Sequence, residues 1–524
     1  MKIEQFVVCL FAAVSLLTPY SVQARKLSFE VQKGSIFLKP FPEKLFSSDT
    51  IQLVSYPVAP SDSDIYVWND PLREKKHPWR AAFEVFGLNM LVWGFDRYAM
   101  DADFAKISFR TIKHNIKHGF VWDNDQFSTN LFAHPYHGNL YYNLARSNGM
   151  DFWGSIPYAI GGSLMWEVAM ENEPPSINDF IATPIGGIAL GEVTFRLSNL
   201  FLNDSKRGFN RFLREFAGTL IDPMKGLNRI FSGDAWKVRN KYYKYHDFNA
   251  IPVHFILGLS DRYLADDNYL FRGYNMMHID FDVKYGDPLD ENLSKPYDCF
   301  YFHAGINVGS SQPLIGDVSL VAKIVGRKYE PLPGHRMMVG LFQHFDFYDS
   351  KPVINDTELP PFKIAEAAAF GLGMIYELPA KNERVKIRQA THINAILLGG
   401  SISDHYKAVD RNYNMGSGFS LKGRTEIRFS NYANFLLNVQ FYQIYTWIGK
   451  HPDELIGDPV YYNVQGDKSF ANLTIINPAF SVSLMKNLKF RADMTYYFRN
   501  TNYDYYEDVN FQTFETKFGL VYEF

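Results

Sequence analysis

The amino-acid sequence predicts a transmembrane antiparallel β-barrel of about 12 strands preceded by an α-helical domain. The first observation is a change of period. Apolar residues follow a helical period in the first half of the chain and alternate from about Phe248 onward. The second is an aromatic content of 16%, because membrane barrels carry aromatic girdles at both interfaces. The third is an amphipathic last segment that closes on Phe524.

The N-terminus predicts export. Lys2 precedes an apolar run, Phe6–Leu17, and Val22–Ala24 supplies small residues where a signal peptidase reads them. We expect residues 1–24 to be a signal peptide, because the apolar run is too short for a membrane anchor. Cys9 would leave with it and Cys299 would remain alone, which excludes an intramolecular disulfide and a cysteine-based metal site.

Length and composition then divide the chain. Its 524 residues exceed the size at which one hydrophobic core stops growing, so we expect at least two domains. Residues 25–77 are polar and proline-rich and read as an irregular periplasmic lead-in, residues 78–236 as a helical domain and residues 245–524 as the barrel. A mean hydropathy of −0.20 excludes a polytopic helical membrane protein but not a barrel. The net charge of −3 gives no indication of a nucleic-acid partner.

The helical region contains several segments with helical periodicity. The second of them is amphipathic with a basic face, and the last is ended by Asp222 and Pro223. The predicted helices are Trp79–Met100, Asp103–His118, Asp151–Asn172, Ile177–Asn203 and Gly208–Leu220.

Alternation in the second half is clearest in the last strand, where Phe518 and Leu520 lie on one face and Glu515 and Lys517 on the other. A soluble β-sandwich also alternates. Charges of both signs along whole strands, opposite apolar faces of about ten residues, favour a water-filled lumen within a bilayer. Twelve such segments begin near residues 248, 270, 299, 314, 334, 362, 383, 414, 433, 469, 486 and 511. Residues predicted to face the lumen include Lys422, Arg424, Glu426, Arg428, Lys489, Arg491 and Asp493.

The C-terminal residues Leu520, Tyr522 and Phe524 share the outward face. They resemble the terminal signature of outer-membrane barrels, which the barrel-assembly machinery reads. The resemblance implies localisation in a bacterial outer membrane, with outer-membrane lipid and that machinery as partners. The oligomeric state is left open by the sequence.

Candidate functional residues cluster before the barrel. Asp123 and Asp125 flank an amide, and oxygen ligands at this density could hold calcium, although a turn followed by a helix cap is the preferred interpretation. His134 and His137 lie one turn apart if Pro135 starts a helix, so they could ligate a metal or act as a general base. Structural histidines are the alternative interpretation.

An acidic pair occurs in an otherwise apolar helix. Glu167 and Glu171 are separated by one turn, so a cation, a metal or a shared proton could hold them together. Burial among apolar neighbours is expected to raise the pKa of Glu167, which makes it a candidate catalytic residue. For Glu171 a solvated helix end is the simpler interpretation.

The next helix begins at a capping-box-like pair, Ser176 and Asp179, for which capping is a sufficient explanation. Thr183, Gly187 and Gly191 then form a stripe of small residues that would let another helix backbone approach. Glu192 and Arg196 lie one turn apart and are expected to pair; their spacing and the stripe predict a tight helical hairpin.

Several runs resemble an uncharacterised bacterial family, the domain of unknown function 3943. The resemblance covers roughly residues 100–220 and implies no established activity or cofactor. The residues that carry it are Trp122–Asp125, His134–Gly138, Ala145–Gly149, Pro175–Asp179, Gly186–Gly187 and Gly191–Glu192.

Two functions follow as expectations. The first is an integral outer-membrane protein whose helical domain plugs the barrel or docks beneath it in the periplasm, with a structural or transport role. The second is an outer-membrane enzyme acting on lipid or envelope material through His134, His137 and Glu167, with Asp123 or Asp125 as a metal or water partner. No nucleophile-elbow, zinc-protease or phosphate-loop motif occurs in the sequence.

Overall fold

The computed structural model describes residues 76–238, 251–353, 359–379, 384–408, 411–430, 432–457 and 462–524. The predicted signal peptide with Cys9 lies outside these residues, as does nearly all of the predicted lead-in. Within the described residues, seven α-helices precede twelve β-strands.

Local chemistry sets several helix ends. Ser108 and Thr111 form a capping box at the second helix, and the Ser176 side chain accepts the N–H of Asp179 at the fifth. Asp222, expected only to end a helix, also caps a short seventh helix that the sequence analysis missed. The helices are α1 (Pro78–Tyr98), α2 (Phe109–His118), α3 (His134–Ser147), α4 (Phe152–Ala169), α5 (Ile177–Phe201), α6 (Gly208–Ile221) and α7 (Pro223–Phe231).

The twelve strands form a closed antiparallel barrel, which confirms the predicted fold class. The last strand pairs with the first, with Leu520 opposite Leu259, so closure leaves no strand edge in lipid. The strands are β1 (Val253–Asp266), β2 (Tyr269–Tyr285), β3 (Phe300–Val308), β4 (Ile315–Tyr329), β5 (Arg336–Asp349), β6 (Lys363–Glu377), β7 (Val385–Ile402), β8 (Tyr413–Phe429), β9 (Ala433–Tyr445), β10 (Ser469–Ser483), β11 (Leu488–Tyr503) and β12 (Val509–Glu523).

The strand connections identify the two rims of the barrel. The rim that carries the start of β1 and the end of β12 has mostly short turns, with 286–299 as the exception. The opposite rim carries the long connections 350–362, 403–412 and 446–468. Outer-membrane barrels have short periplasmic turns and longer extracellular loops, so the rim with the strand termini is the periplasmic one.

The predicted faces of the strands are confirmed. Glu515 and Lys517 line a cavity in the lumen, whereas Phe518 and Leu520 point outward and are half exposed. Of the charges expected in the lumen, all but Lys489 line this cavity. Lys489 instead pairs with Glu523 at the periplasmic rim, where the lumen ends.

The helices pack against the outside of the barrel wall. On β5 the residues Asp346 and Tyr348 line the lumen, while Phe345 and Phe347 occupy the opposite face. The ring centroid of Phe132, which precedes α3, lies 5.3 Å from that of Phe347. The described helices therefore neither fill the lumen nor lie beneath the barrel, and the predicted plug or periplasmic domain is corrected to a lateral position. Alternation reveals which strand face is apolar but not whether helix or lipid covers it.

Helix α5 runs along the wall from one rim to the other. Its first N–H, that of Ile177, bonds the carbonyl of Val121 near the extracellular loops, and Phe201 at its end lies 6.3 Å from Phe255 at the periplasmic rim. Between them, Gln343 on the outer face of β5 donates to the carbonyl of Ile185 at 2.9 Å. Among the described helices, α5 alone is long and apolar enough to cross a membrane by composition, and most of it is buried by the protein.

Candidate functional site

A cluster of ionisable side chains lies at the extracellular end of the helical domain. It comprises His134, Asp125, Glu167, Glu171 and Asp179, here called the His134 cluster. The segment before it is held by the extracellular loops, because Asn463 accepts the N–H of Trp122 at 3.0 Å. Tyr406 likewise donates to Asn124 at 2.7 Å. The cluster therefore lies beside the outer surface of the membrane.

His134 is the centre of the cluster. A π-helical turn, Thr129–Ala133, leads directly into α3, so His134 is the first residue of that helix. Its Nε2 lies 3.5 Å from Asp179 Oδ1 and 4.0 Å from Asp125 Oδ2. Burial lowers the pKa of His134, but the nearby carboxylates of Asp125 and Glu167 outweigh burial and raise it to about 9. The imidazole is therefore protonated at neutral pH.

Glu167 of α4 and Glu171, just beyond the end of that helix, lie behind this imidazole. Glu167 is buried and its Oε2 accepts the N–H of Ser176 at 2.8 Å. Burial raises the pKa of Glu167 well above its usual range, as the sequence predicts. Glu171 is not a solvated helix end, because its Oε1 accepts the indole N–H of Trp166 at 2.6 Å and burial raises its pKa to about 7. The positive charge of His134 lies close enough to oppose this rise at both glutamates.

His137 has a different environment. Its ring packs between Tyr141 and Trp166, with centroids 4.7 Å and 5.1 Å away. Burial, and then the charge of His134, lower the pKa of His137 to about 3, so its ring is neutral. Its Nε2 makes no hydrogen bond within the described residues. The two histidines of the motif thus differ in charge, and His137 does not share the carboxylate contacts of His134.

The two aspartates expected to bind metal take separate roles. Asp123 Oδ1 accepts the amides of Asn130 and Asn178 at 2.7 Å and 2.9 Å, which fixes the segment before the π-turn. Asp125 is about half exposed and faces His134. Across the described part of the chain, no group of three or more histidine, cysteine or acidic side chains is arranged to hold a metal ion. Metal binding at Asp123 and Asp125 stays a prediction.

Asp179 is the residue that sequence reasoning undervalued. Its N–H is capped by Ser176 as expected, yet its side chain faces His134 and accepts the amide of Asn178 at 3.0 Å. Helix capping is a sufficient reason for an aspartate at position 179. The residues around it in the sequence have no pattern that predicts a contact with a histidine on another helix. Only the crossing of α3 and α5 brings the two residues together.

A second buried group of charges lies deeper in the hairpin. Glu192 pairs with Arg196 at 2.8 Å, as predicted, and also with Arg146 at 2.9 Å. Tyr142 donates its hydroxyl to the same carboxylate at 2.9 Å. Arg196 also donates to the carbonyl of Pro296, in the periplasmic connection 286–299, at 2.8 Å. This network ties the helices to the barrel, so we assign it a structural role.

The lumen contains a cavity of about 280 Å³ lined by charges of both signs. Cross-strand ion pairs brace its wall. His303 lies 2.8 Å from Asp282 and 2.6 Å from Asp317, and Lys422 lies 2.9 Å from Glu366. Because these side chains are paired with one another, much of the charge on the cavity wall is already neutralised when a solute enters.

Apolar side chains bound the cavity at both ends. Towards the extracellular rim, Phe362 stacks on Tyr497 with ring centroids 4.0 Å apart. Towards the periplasm, Leu289 packs in a buried group with Phe342 and Ile375. Ion pairs therefore hold the walls of the lumen together, and apolar side chains narrow both of its ends.

Comparison with known proteins agrees with the motifs of the helical hairpin. Residues 119–224 match the family model DUF3943, a domain of unknown function. The DUF3943 segment contains the whole His134 cluster and the α3–α5 crossing, so the matched residues are those that build the site. No curated protein matches the sequence.

Solved structures similar to the chain are outer-membrane channels. The NanC porin is 8% identical with a TM-score of 0.25, covering 51% of this chain and 98% of its own. An outer membrane channel from Pseudomonas putida F1 is 9% identical with a TM-score of 0.24, covering 52% and 95%. The channel DcaP of Acinetobacter baumannii is 7% identical with a TM-score of 0.19, covering 52% and 97%. The chain is a closed twelve-strand β-barrel, and a segment that matches the DUF3943 model packs beside it.

Proposed function

We propose that this protein is an outer-membrane enzyme in which the barrel is a scaffold and the DUF3943 segment acts on a lipid of the outer leaflet. The observation that carries the proposal is the contact of His134 with Asp179 at 3.5 Å, at the extracellular end of helices that pack on the outer barrel wall. A substrate that reaches this position from the side is a membrane lipid.

The geometry supports proton transfer as the chemistry. A histidine that is protonated at neutral pH serves as a general acid, and a carboxylate beside it orients the ring. Asp125 is exposed and links the buried imidazole to the surface. In this proposal a water molecule attacks the ester centre of the lipid, and the bond to the leaving oxygen breaks as His134 donates a proton to that oxygen. The proton released by the water returns to His134 by way of Asp125. Asp179 orients His134, and Asp125 stabilises its protonated ring.

The test is lipid analysis of outer membranes by mass spectrometry, from cells that express the wild-type protein, His134→Gln or Asp179→Asn. We expect a lipid species that is changed by the wild-type protein and unchanged by either variant. His254→Gln is the control, because His254 lies beside Glu523 at the periplasmic rim, at the opposite end of the barrel from the cluster. If lipids are the same with wild-type protein and with both variants, while all fold as heat-modifiable barrels, the proposal is wrong.

A second function, passage of a small polar solute, is favoured by the charged cavity in the lumen. Its bracing ion pairs and apolar ends support a narrow path at most. Conductance across planar bilayers tests it, since an enzyme scaffold with a closed lumen gives no current steps.

A further inference from the structure

Helix α1 exposes a large apolar surface. Its outward side chains include Trp79 at 78%, Phe83 at 74%, Leu91 at 73% and Phe95 at 55% exposure. Contiguous apolar surface of this kind is rare on a domain surrounded by water and marks contact with another apolar phase. The helix is not loose, because its buried Asn89 donates to the carbonyl of Gly162 on α4.

The position of α1 identifies what covers it. Helix α4 begins near the periplasmic rim, where Phe152 packs 5.5 Å from Tyr297, and α1 runs beside it in the same direction. Helix α5 covers the same depth along the barrel wall. The outward faces of the barrel strands contact lipid. The outward side chains of α1 lie farther from the barrel axis at the same depth in the membrane, so they contact lipid as well.

The length and composition of α1 fit a helix that lies along the hydrocarbon region of the bilayer. Helix α1 is less apolar than α5, as expected of a helix with one face packed on protein, and its 21 residues rise about 31 Å, close to the hydrocarbon thickness of about 30 Å. No charged residue occurs between Glu84 and Asp96. Trp79 and Tyr98 lie at its two ends, where amphipathic aromatic rings favour the membrane interfaces.

Helix α2 adds a charged surface at the extracellular end. Asn115 anchors it by donating to the carbonyl of Glu171 at 2.9 Å, just beyond the end of α4. Phe109 and Ile116 are exposed at 93% and 67%. Five exposed basic side chains project from the same short helix: Arg110, Lys113, His114, Lys117 and His118. A basic amphipathic helix at this level suits the interface of an anionic leaflet.

We propose that the helical domain is inserted in the bilayer beside the barrel, with α1 facing the acyl chains and α2 lying on phosphate-bearing lipid headgroups of the outer leaflet. This placement is independent of the acid–base chemistry proposed for His134. It also explains the amphipathic helix α6, which follows the periplasmic end of α5 and exposes Phe209 and Phe212 at the opposite interface.

Depth-dependent fluorescence quenching tests the first half of the proposal. The full chain with Cys9→Ser and Cys299→Ser is reconstituted in phosphatidylglycerol vesicles and labelled after Phe86→Cys or Leu91→Cys. We expect quenching by acyl-chain nitroxide lipids and protection from aqueous iodide. Leu520→Cys on the barrel face supplies the lipid reference, and Glu291→Cys in the periplasmic connection the aqueous one. Labels at positions 86 and 91 that follow the aqueous reference overturn the proposal.

Two double variants, each of which removes two lysines, test the second part of the proposal, the binding of α2 to phosphate-bearing headgroups. A fluorophore is attached to the cysteine of a His114→Cys variant. Phosphatidylglycerol that carries a nitroxide on its headgroup is then titrated into zwitterionic vesicles that hold the protein, and it quenches the fluorophore when it binds nearby. We expect Lys113→Gln with Lys117→Gln to weaken this quenching titration by about tenfold. Lys386→Gln with Lys486→Gln removes the same charge at the periplasmic rim and is expected to change nothing. Equal titrations for the wild-type and both double variants would show that α2 does not bind anionic headgroups.

Discussion

Gly138 of α3 and Gly187 of α5 meet backbone to backbone. A Cβ on Gly187 would lie 2.4 Å from the carbonyl carbon of Gly138, and one on Gly138 would lie 1.8 Å from the carbonyl oxygen of Thr183. The small-residue stripe predicted from the sequence therefore forms the crossing point of the hairpin. This crossing brings Asp179 to His134, so the close approach of the two backbones underlies the candidate site.

Gly187→Ala tests the crossing. Because the added methyl group meets backbone and not a flexible side chain, the helices must separate, at a cost of about 1–3 kcal/mol or more. Thermal unfolding followed by circular dichroism in detergent should show a lower midpoint. Gly161→Ala is the control, since nothing lies within 4 Å of its added methyl group and alanine favours a helix. Equal midpoints for the two variants would contradict the close crossing.

The sequence was most informative where periodicity is strict. Alternation along β12 predicts its lumen and lipid faces, and all twelve strands begin within a few residues of the expected positions. The lateral position of the helices was not predictable, because Phe345 and Phe347 on β5 look equally suited to face lipid or a helix. Their neighbour Phe132 lies far away in the sequence and has no pattern that identifies its partner.

The candidate site was predicted in part. His134, Glu167 and Asp125 do converge, but His137 turns to aromatic rings and Asp123 is fixed by amides. Such differences arise from contacts between helices, which neither spacing nor propensity encodes. The same is true of Asp179, whose capping role concealed its contact with His134.

The buried carboxylate of Glu192 is expected to be essential for stability. Glu192→Ala removes the carboxylate that pairs with the buried Arg146 and leaves Arg196 with Asp298 as its acidic partner, and breaking a buried pair typically costs about 3–5 kcal/mol. Denaturant unfolding of the detergent-solubilised protein measures the loss. Asp103→Ala removes an exposed carboxylate that pairs with Lys106 and should leave the unfolding curve unchanged. A Glu192→Ala variant as stable as Asp103→Ala would contradict the role of the network.

The raised pKa of His134 predicts a pH-dependent stability. The folded protein holds this proton up to about pH 9, whereas an unfolded histidine releases it near pH 6.5. The resulting stabilisation is fully present below pH 6.5 and is lost as the pH rises through 9. Unfolding midpoints of the wild-type protein should therefore fall relative to His134→Gln across this window. Parallel curves for wild type and His134→Gln would refute the assignment.

The stack of Phe362 on Tyr497 predicts the conductance of the barrel. Because this apolar contact narrows the lumen above the charged cavity, the wild-type protein should give no current steps in planar bilayers. Phe362→Ala removes one ring of the stack and is expected to open a path that conducts small ions. Phe480→Ala changes an exposed ring on the lipid face of β10 and should stay silent. Large steps from the wild-type protein would show that the lumen is open, and would favour solute passage over a scaffold as the role of the barrel.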